Sequence, residues 1–398
     1  MPISKRIHKI AASPTMNIFS KVKEMQVRGE NIIDLSVGEP DFLTPSNIKE
    51  AAKRAIDENQ TRYTLNQGTL ELRNAIIHKL KKENGLEYSA QDIIVSTSAK
   101  QSLYNAVQSL VNDDDEVIIP APYYVSYPEM VTLARGKSVI IPTTEDTEFK
   151  LTPNQLLKAI TTSTKLLIMS YPTNPTGASY NKKELEAIAE IVEKKKLFVL
   201  SDEIYENIIY NDNKFVSFAS LGEEIKKRTI VVNGFSKSYA MTGWRIGYAA
   251  GPDEFIKAMN KIQSHSTSNA SSISQAAALE ALNGPQDYIP MMRKEFEQRR
   301  NFIHEKMSSI KGITCFKPKG AFYLFPNVKS YFGKSTSSVK IENSIDLATY
   351  LLYEEKVATV PGSSFGSEGY LRISYSTSME NLKEGARRIR EALGKLIN

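Results

Sequence analysis

Three short stretches of this chain hold residue types that could act together on a carbonyl compound. The first is Ser236-Lys237-Ser238, which follows the β-branched run at 229–233 and has Arg245 eight residues beyond the lysine. An amine there can form an imine with an aldehyde, while the hydroxyl and the guanidinium hold an attached phosphate. The second is Asp202-Glu203-Ile204-Tyr205, at the end of the apolar run 197–201. A carboxylate at the carboxyl end of a buried strand can pair with a protonated pyridine nitrogen, which makes that ring an electron sink. A tyrosine three residues on can reach a phenolic oxygen of the same ring. The third stretch is Tyr171-Pro172-Thr173-Asn174-Pro175-Thr176-Gly177, directly after the apolar run 166–170, where the Asn174 amide can donate to that oxygen. Each stretch also has a plain structural reading: a solvated Ser-Lys loop, a capping aspartate beside a core tyrosine, and ordinary turn chemistry.

Chemistry of this kind needs a scaffold that brings strand ends together, and the sequence supplies one. Strand-like runs at 93–96, 116–119, 138–141, 166–170, 197–201, 230–233 and 246–250 alternate with helical patterns such as 99–111 and 182–195. Several runs are continuously apolar, as expected of strands buried on both faces. The alternation predicts an α/β fold with a mostly parallel central sheet covered by helices. Asn181 and Glu184 stand at capping-box spacing before the second helix, and Lys194-Lys195-Lys196 closes it. From Asn283-Gly284-Pro285 onward the pattern changes to a long charged helix at 286–311, short strands at 321–325, 358–360 and 371–374, and a last helix from Met379. This predicts a large domain over 45–284 and a smaller α+β domain over 285–398. Residues 1–44 are expected to lack a sheet of their own and to lie against the small domain as an arm. The Ser- and Lys-rich 329–340 reads as an exposed insertion, and Trp244 as packing beneath the Lys237 loop.

Composition removes several classes of function. The chain has 398 residues, enough for two cores, with 41% hydrophobic and 24% charged residues. Its net charge of +6 is modest and scattered, and no recognition motif accompanies it, which argues against nucleic-acid binding. Cys315 is the single cysteine, so no intrachain disulfide can form. No apolar run approaches the roughly 20 residues of a membrane span. His8, His78, His265 and His304 show no metal-ligand spacing, so no metal is expected. The Gly-rich 362–369 lacks the following helix of a dinucleotide fingerprint. A cytoplasmic protein is the expectation.

Taken in order, the motifs resemble the class I aminotransferases of pyridoxal-phosphate (PLP) fold type I, nearest the bacterial aspartate aminotransferase branch. The likeness rests on Val37-Gly38-Glu39-Pro40-Asp41-Phe42, Tyr63, Asn174-Pro175-Thr176-Gly177, Ser201 to Tyr205, Ser236-Lys237 and Thr242-Gly243-Trp244-Arg245-Ile246-Gly247. It continues through Pro361-Gly362-Ser363-Ser364-Phe365-Gly366 and Leu371-Arg372-Ile373-Ser374-Tyr375. It starts near residue 3, so the basic N-terminus is expected to be mature protein and not a transit peptide.

The resemblance implies a role for each matching position. Lys237 would be the Schiff-base lysine and the base that moves a proton between the substrate Cα and the cofactor's C4′. Asp202 would hold the pyridinium nitrogen, Asn174 and Tyr205 the ring oxygen, and Tyr124 would stack on the ring. Ser98, Ala99, Lys100, Ser236 and Arg245 would surround the phosphate, although relatives often carry glycine at 98 and 99. Arg372 would clamp the substrate's α-carboxylate, and Gly38 would let backbone close over it. Lys100, Ser13 and Thr15 would lie around a distal carboxylate. Tyr63 would reach the phosphate of a neighbouring subunit, which implies a homodimer. Ala11 stands where relatives that accept prephenate tend to carry a basic residue.

The function implied is transfer of an amino group from an L-amino acid, aspartate or glutamate, to a 2-oxo acid such as 2-oxoglutarate or oxaloacetate, in a ping-pong cycle. The rivals are an aminotransferase with an aromatic or other donor, a carbon–sulfur lyase using the same site, and a regulatory binding module that has lost turnover. A lyase releases ammonia and pyruvate without a second oxo acid; a binding module gives no half-reaction with any amino acid.

Overall fold

The computed structural model describes residues 3–12, 14–211 and 213–397. A two-residue strand, β1 (Ile33–Asp34), comes first, followed by β2 (Ile93–Ser96), β3 (Glu116–Ala121), β4 (Lys137–Pro142), β5 (Thr164–Ser170), β6 (Phe198–Asp202), β7 (Thr229–Gly234) and β8 (Gly247–Ala250). The last seven of these form one sheet in the order β2-β8-β7-β6-β5-β3-β4. Strands β4, β3, β5, β6 and β7 pair in parallel, while β8 runs antiparallel to both β7 and β2.

Strand alternation explains why the runs read as continuously apolar. Leu166, Ile168, Leu200, Ile230 and Val232 point to one face, where they meet Leu103, Ala106 and Val107 of the helix Ala99–Leu110 and Ile256 and Met259 of the helix Asp253–Ser264. Leu167, Met169 and Val199 point to the other, against Leu185, Ile188 and Val192 of the helix Lys182–Lys195. Val231 shares that second face with Leu72, Ile76, Ala277 and Ala278. Both faces are therefore dry. Truncating a residue such as Leu200 to alanine costs about 2–5 kcal/mol at sites of this kind. The helix Lys182–Lys195 starts where its sequence says: Asn181 Oδ1 accepts from Glu184 N at 3.0 Å, and Glu184 Oε2 accepts from Asn181 N at 2.8 Å.

The remaining strands are short. β9 (Tyr323–Leu324), β10 (Val357–Ala358), β11 (Val360–Pro361) and β12 (Leu371–Ser374) follow the helix Tyr288–Ser308, and β11-β12-β9 form an antiparallel sheet. The expected strand at 358–360 is in fact two strands that break at Thr359 and pair with different partners. One of them, β10, pairs in parallel with β1, so the N-terminal segment does contribute a strand. Two residues leave no periodicity to detect, and the partner lies near the other end of the chain. The stretch 329–340 also departs from a purely exposed insertion. Tyr331 is buried and donates to Lys311 O at 2.6 Å, and Ser335 exchanges backbone hydrogen bonds with Ile397.

Candidate active site

Because β5, β6 and β7 are parallel, their carboxyl ends open on one edge of the sheet, and the loops that follow them deliver side chains to a single cavity of about 430 Å³. Asp202 is the last residue of β6, beside Ser170 of β5. Tyr127 Oη donates to Asp202 Oδ2 at 2.7 Å and Ile204 N donates to Oδ1 at 3.3 Å. Burial outweighs these donors and raises the carboxyl to about 6.

Lys237 enters from the loop after β7. Its Nζ donates to Gly38 O at 2.5 Å and lies 5.8 and 5.7 Å from the ring centres of Tyr205 and Phe322. Burial lowers the amine to about 8; the Arg372 and Arg245 charges push the same way, and Glu39 and Asp202 oppose them. Glu39 is itself held by Thr242 Oγ1 at 2.6 Å, and Thr242 O accepts from Arg245 Nη1, also at 2.6 Å.

Arg372, from β12, is buried and lines the same cavity. Nη1 donates to Asn174 Oδ1 at 3.0 Å, Nη2 donates to Ser36 O at 2.5 Å, and the guanidinium lies 4.6 Å from the Tyr323 ring centre. Its Nε is buried with no hydrogen-bond partner among the described residues. A donor left over on a guanidinium this firmly fixed is what a carboxylate ligand requires. Asn174 uses its oxygen on Arg372, so its amide hydrogens are not spent there. Tyr205 Oη lies 2.7 Å from Tyr323 Oη.

At the far end the helix Ala99–Leu110 begins, and Ser98, Ala99, Ser236 and Arg245 line the cavity together. Ser98 has φ +85° and ψ 158°, a region that suits glycine, and Arg245 has φ +53°. Gly247 crosses so closely that a Cβ there would lie 2.3 Å from Ala99 N. The helix N-terminus with a hydroxyl and a guanidinium beside it fits a phosphate, and Asp202 fits a ring nitrogen at the other end. The donor set therefore suits a phosphorylated pyridine aldehyde, with Lys237 between the two ends.

Lys100, Tyr124 and Thr15 line the same cavity, and Lys100 Nζ sits 5.5 Å from the Tyr124 ring centre. Ser13 lies outside the described residues. Tyr63 is not brought to the site within one chain: it is 93% exposed. At Gly38 a Cβ would meet only Tyr323 Oη, at 3.4 Å, so the protein itself leaves room there. Trp244 is half-buried and donates to Thr44 Oγ1 at 3.0 Å. Sequence reasoning gave no site role to Tyr127, Tyr323, Thr242 or the apolar pair Met16 and Phe19, all of which line the cavity. Tyr127 could have been found from its place three residues after Tyr124; Tyr323 sits in an apolar strand and gives no signal. Among the described residues no group of three or more His, Cys, Asp or Glu is placed to hold a metal, and no helix is long and apolar enough to cross a membrane.

Comparison with known proteins agrees with this geometry. Residues 30–389 match the family described as aminotransferase class I and II. The chain is 46% identical to the aspartate aminotransferase of Bacillus subtilis over 99% of its own length and 100% of the relative's. It is 50% identical to a probable aspartate/prephenate aminotransferase of Rickettsia felis, covering 99% of this chain and 97% of that one. Among solved structures, the aspartate aminotransferase of Rhizobium meliloti superposes with a TM-score of 0.96 at 43% identity, covering 100% of both chains. Full-length matches of this strength, over a site built for a phosphorylated pyridine aldehyde, place the chain in the class I and II aminotransferase family, with the type I fold and pyridoxal 5′-phosphate as its cofactor.

Proposed function

We propose that this aminotransferase takes its amino group from aspartate or glutamate and passes it to a 2-oxo acid, 2-oxoglutarate or oxaloacetate. The observation that carries the reading is the presence of two cations, Arg372 and Lys100, in one cavity besides Lys237 and Arg245, which the cofactor takes. Two relatives named for aspartate share the chain's full length. When bound, the cofactor supplies an aldehyde that accepts the amino group and a protonated ring that draws electrons from the substrate's Cα.

The chain's own residues would do the rest. Ser236, Arg245 and the first N–H groups of the helix Ala99–Leu110 hold the phosphate, Asp202 the ring nitrogen, and Asn174 and Tyr205 the ring oxygen, with Tyr124 on the ring face. Arg372 anchors the substrate's α-carboxylate through N–H groups not used on Asn174 and Ser36, with Gly38 backbone alongside. Lys237 Nζ then takes the proton from Cα; an amine whose burial brings it to about 8 holds and releases a proton near neutral pH. Lys100 and Thr15, with Ser13, would receive the distal carboxylate.

A variant test isolates the distal site. A charge-assisted hydrogen bond is worth about 1.5–3 kcal/mol, so Lys100→Ala should lower kcat/KM for aspartate and glutamate about 10- to 150-fold, with phenylalanine and alanine far less affected. Equal losses on all four donors, or a wild-type preference for alanine or phenylalanine, would sink the assignment. Use of aromatic donors is a second reading with its own observation, since Met16 and Phe19 give the cavity an apolar wall.

Assembly and organisation belong to the same proposal. A homodimer would let Tyr63 reach the phosphate of the partner subunit, and its exposure, with Leu65 and Leu70 exposed on the same stretch, supports this. Division into an arm over 1–44, a cofactor domain over 45–284 and a small domain over 285–398 is supported by the two separate sheets and by the β1–β10 pairing. Residence in the cytoplasm accords with a lone cysteine.

A further inference from the structure

Two loops must stay in register for this site to work: 202–207, which carries Asp202 and Tyr205, and 233–238, which carries Ser236 and Lys237. They are joined at two places, and a third bond ties the first loop to the strand residue just before the second. Glu203 N donates to Val232 O at 2.9 Å, where β6 and β7 part. Asn233 Nδ2 donates to Glu206 Oε1 at 2.6 Å, four residues before Lys237. Asn207 Nδ2 donates to Ser238 Oγ at 3.2 Å, one residue after it.

Glu206 is buried and accepts from three side chains. Besides Asn233 it takes Asn84 Nδ2 at 2.8 Å and an ion pair from Lys79, itself buried on the helix Leu70–Asn84. Lys79 also donates to Asn84 Oδ1 at 2.8 Å and lies 3.6 Å from Glu83. Asn233 spends its own oxygen on Gly234 N at 2.7 Å, so its amide is fixed at both ends. A buried charged pair is a poor source of net stability, because the desolvation cost is close to the attraction. Its directional bonds, however, fix geometry. Here they fix the loop that ends at the reacting amine.

We propose that Glu206 and Asn207 are positioning residues that set the Lys237 amine against Asp202 and the cofactor, Glu206 through Asn233 and Asn207 through Ser238. The assignment rests on Lys237 being the amine that binds the cofactor. Neither residue lines the cavity, so each acts through the lysine loop and not by touching substrate.

The bond on the exposed side gives the cleaner test, because Asn207 is half-buried and its replacement leaves the Lys79–Glu206 pair intact. Asn207→Leu removes the bond while keeping the branched outline of the side chain, and on a half-buried position its larger volume has room, whereas Asn207→Asp keeps a partner for Ser238, with the hydroxyl now donating. Misplacing a reacting group by about 1 Å can cost on the order of 100-fold. Asn207→Leu should therefore lower kcat by about tenfold or more, with KM changed by less than about twofold, and Asn207→Asp should recover most of the loss. Ser238→Ala should give a similar loss, and the double variant Asn207→Leu/Ser238→Ala no further one.

A second readout needs no turnover. In the cofactor-free protein, the pH dependence of acetic anhydride labelling at Lys237, followed by mass mapping, gives the titration midpoint of the amine. That midpoint should rise from about 8 in Asn207→Leu, as the amine gains solvent and leaves its arginine neighbours. Glu206→Gln should move it too, and circular dichroism shows whether that variant folds. Borohydride reduction of the wild-type holoenzyme separates the two levels of the argument. An adduct on another lysine removes the functional reading itself. An adduct on Lys237, together with unchanged kcat and labelling midpoint in Asn207→Leu or additive losses in the double variant, overturns the positioning role alone.

Discussion

Replacing Tyr127 with phenylalanine removes one hydroxyl that never touches substrate in the proposed mechanism, yet it should move the acid limit of the site. The Tyr127 Oη to Asp202 Oδ2 bond is 2.7 Å long and buried, and its acceptor is charged when the site is ready for cofactor. Bonds of this type contribute about 1.5–3 kcal/mol, and 1.36 kcal/mol corresponds to one pKa unit. Asp202 already titrates near 6 because burial disfavours its anion. Without its donor it should titrate about one to two units higher, between roughly 7 and 8. The sign follows from what the donor stabilises: it favours the carboxylate, so its loss favours the neutral acid. At pH 7 most wild-type Asp202 is then ionised, while half or less is ionised in the variant. The assay is the dissociation constant of pyridoxal phosphate for the cofactor-free protein between pH 5.5 and 9. Affinity should match wild type near pH 9 and fall off below about 7–8, where wild type holds until about 6. A variant curve that overlays the wild type would falsify the claim that Tyr127 sets the charge of Asp202.

Three other outcomes follow from the same geometry. Ser98 sits at φ +85°, where a Cβ costs about 1–3 kcal/mol, against about 0.5–1 kcal/mol for the looser unfolded chain of a glycine variant. Ser98→Gly should therefore raise the urea midpoint of the cofactor-free protein, and a lower midpoint refutes the strain. Lys237 at about 8 leaves about one amine in ten unprotonated at pH 7, against about three in ten thousand for an ordinary lysine at 10.5. Reconstitution with pyridoxal phosphate should accelerate about tenfold from pH 6 to 7 and level off above about 8; a rise continuing to pH 10 counts against it. Tyr63→Phe should weaken cofactor binding about 10- to 150-fold, the loss of one bond to a charged phosphate, in a protein that sediments as a dimer, and a fully active monomer defeats the shared site.

The residues that would hold the cofactor's aldehyde, ring nitrogen and ring oxygen were legible because they lie where the chain must do two things at once, whereas Arg372, Tyr124, Gly38 and Lys100 came only through the resemblance. Asp202, Asn174 and Lys237 each follow a run that is apolar on both faces, and a polar group at such a boundary stands out. The residues that tune them were illegible for the converse reason. Tyr323 and Tyr127 look like core aromatics, and in area they are; only the direction of one hydroxyl makes them functional. Glu206 and Asn233 are 27 residues apart, one in the loop after β6 and the other near the end of β7, so their meeting depends on sheet order, which no local pattern encodes. Length set the other limit. Strands of five to seven residues such as β5 and β6 were visible at nearly their full bounds, whereas among the two-residue strands β9 was expected over 321–325, β10 and β11 as one strand at 358–360, and β1 not at all.

The same alternation that hides the tuning residues also keeps two adjacent carboxyls from interfering. Asp202 and Glu203 are neighbours at the end of β6, and the strand turns them in opposite directions. Asp202 faces the cavity and receives Tyr127. Glu203 faces inward, where Ser201 Oγ, Ser217 Oγ and Phe218 N all donate to one oxygen, at 2.8, 2.9 and 3.1 Å, while the other has no partner among the described residues. Burial, followed by the nearby Glu206 charge, raises Glu203 to about 8, so near pH 7 it carries its proton. The Asp202 carboxyl answers to burial, Tyr127, Ile204 and Lys237, and Glu203 is not among the groups that shift it. A neutral Glu203 leaves Asp202 as the one charged carboxylate of the pair. It also pins the 217–218 turn to the strand through two donors, Ser217 Oγ and Phe218 N, so its structural role does not dilute the charge of the site.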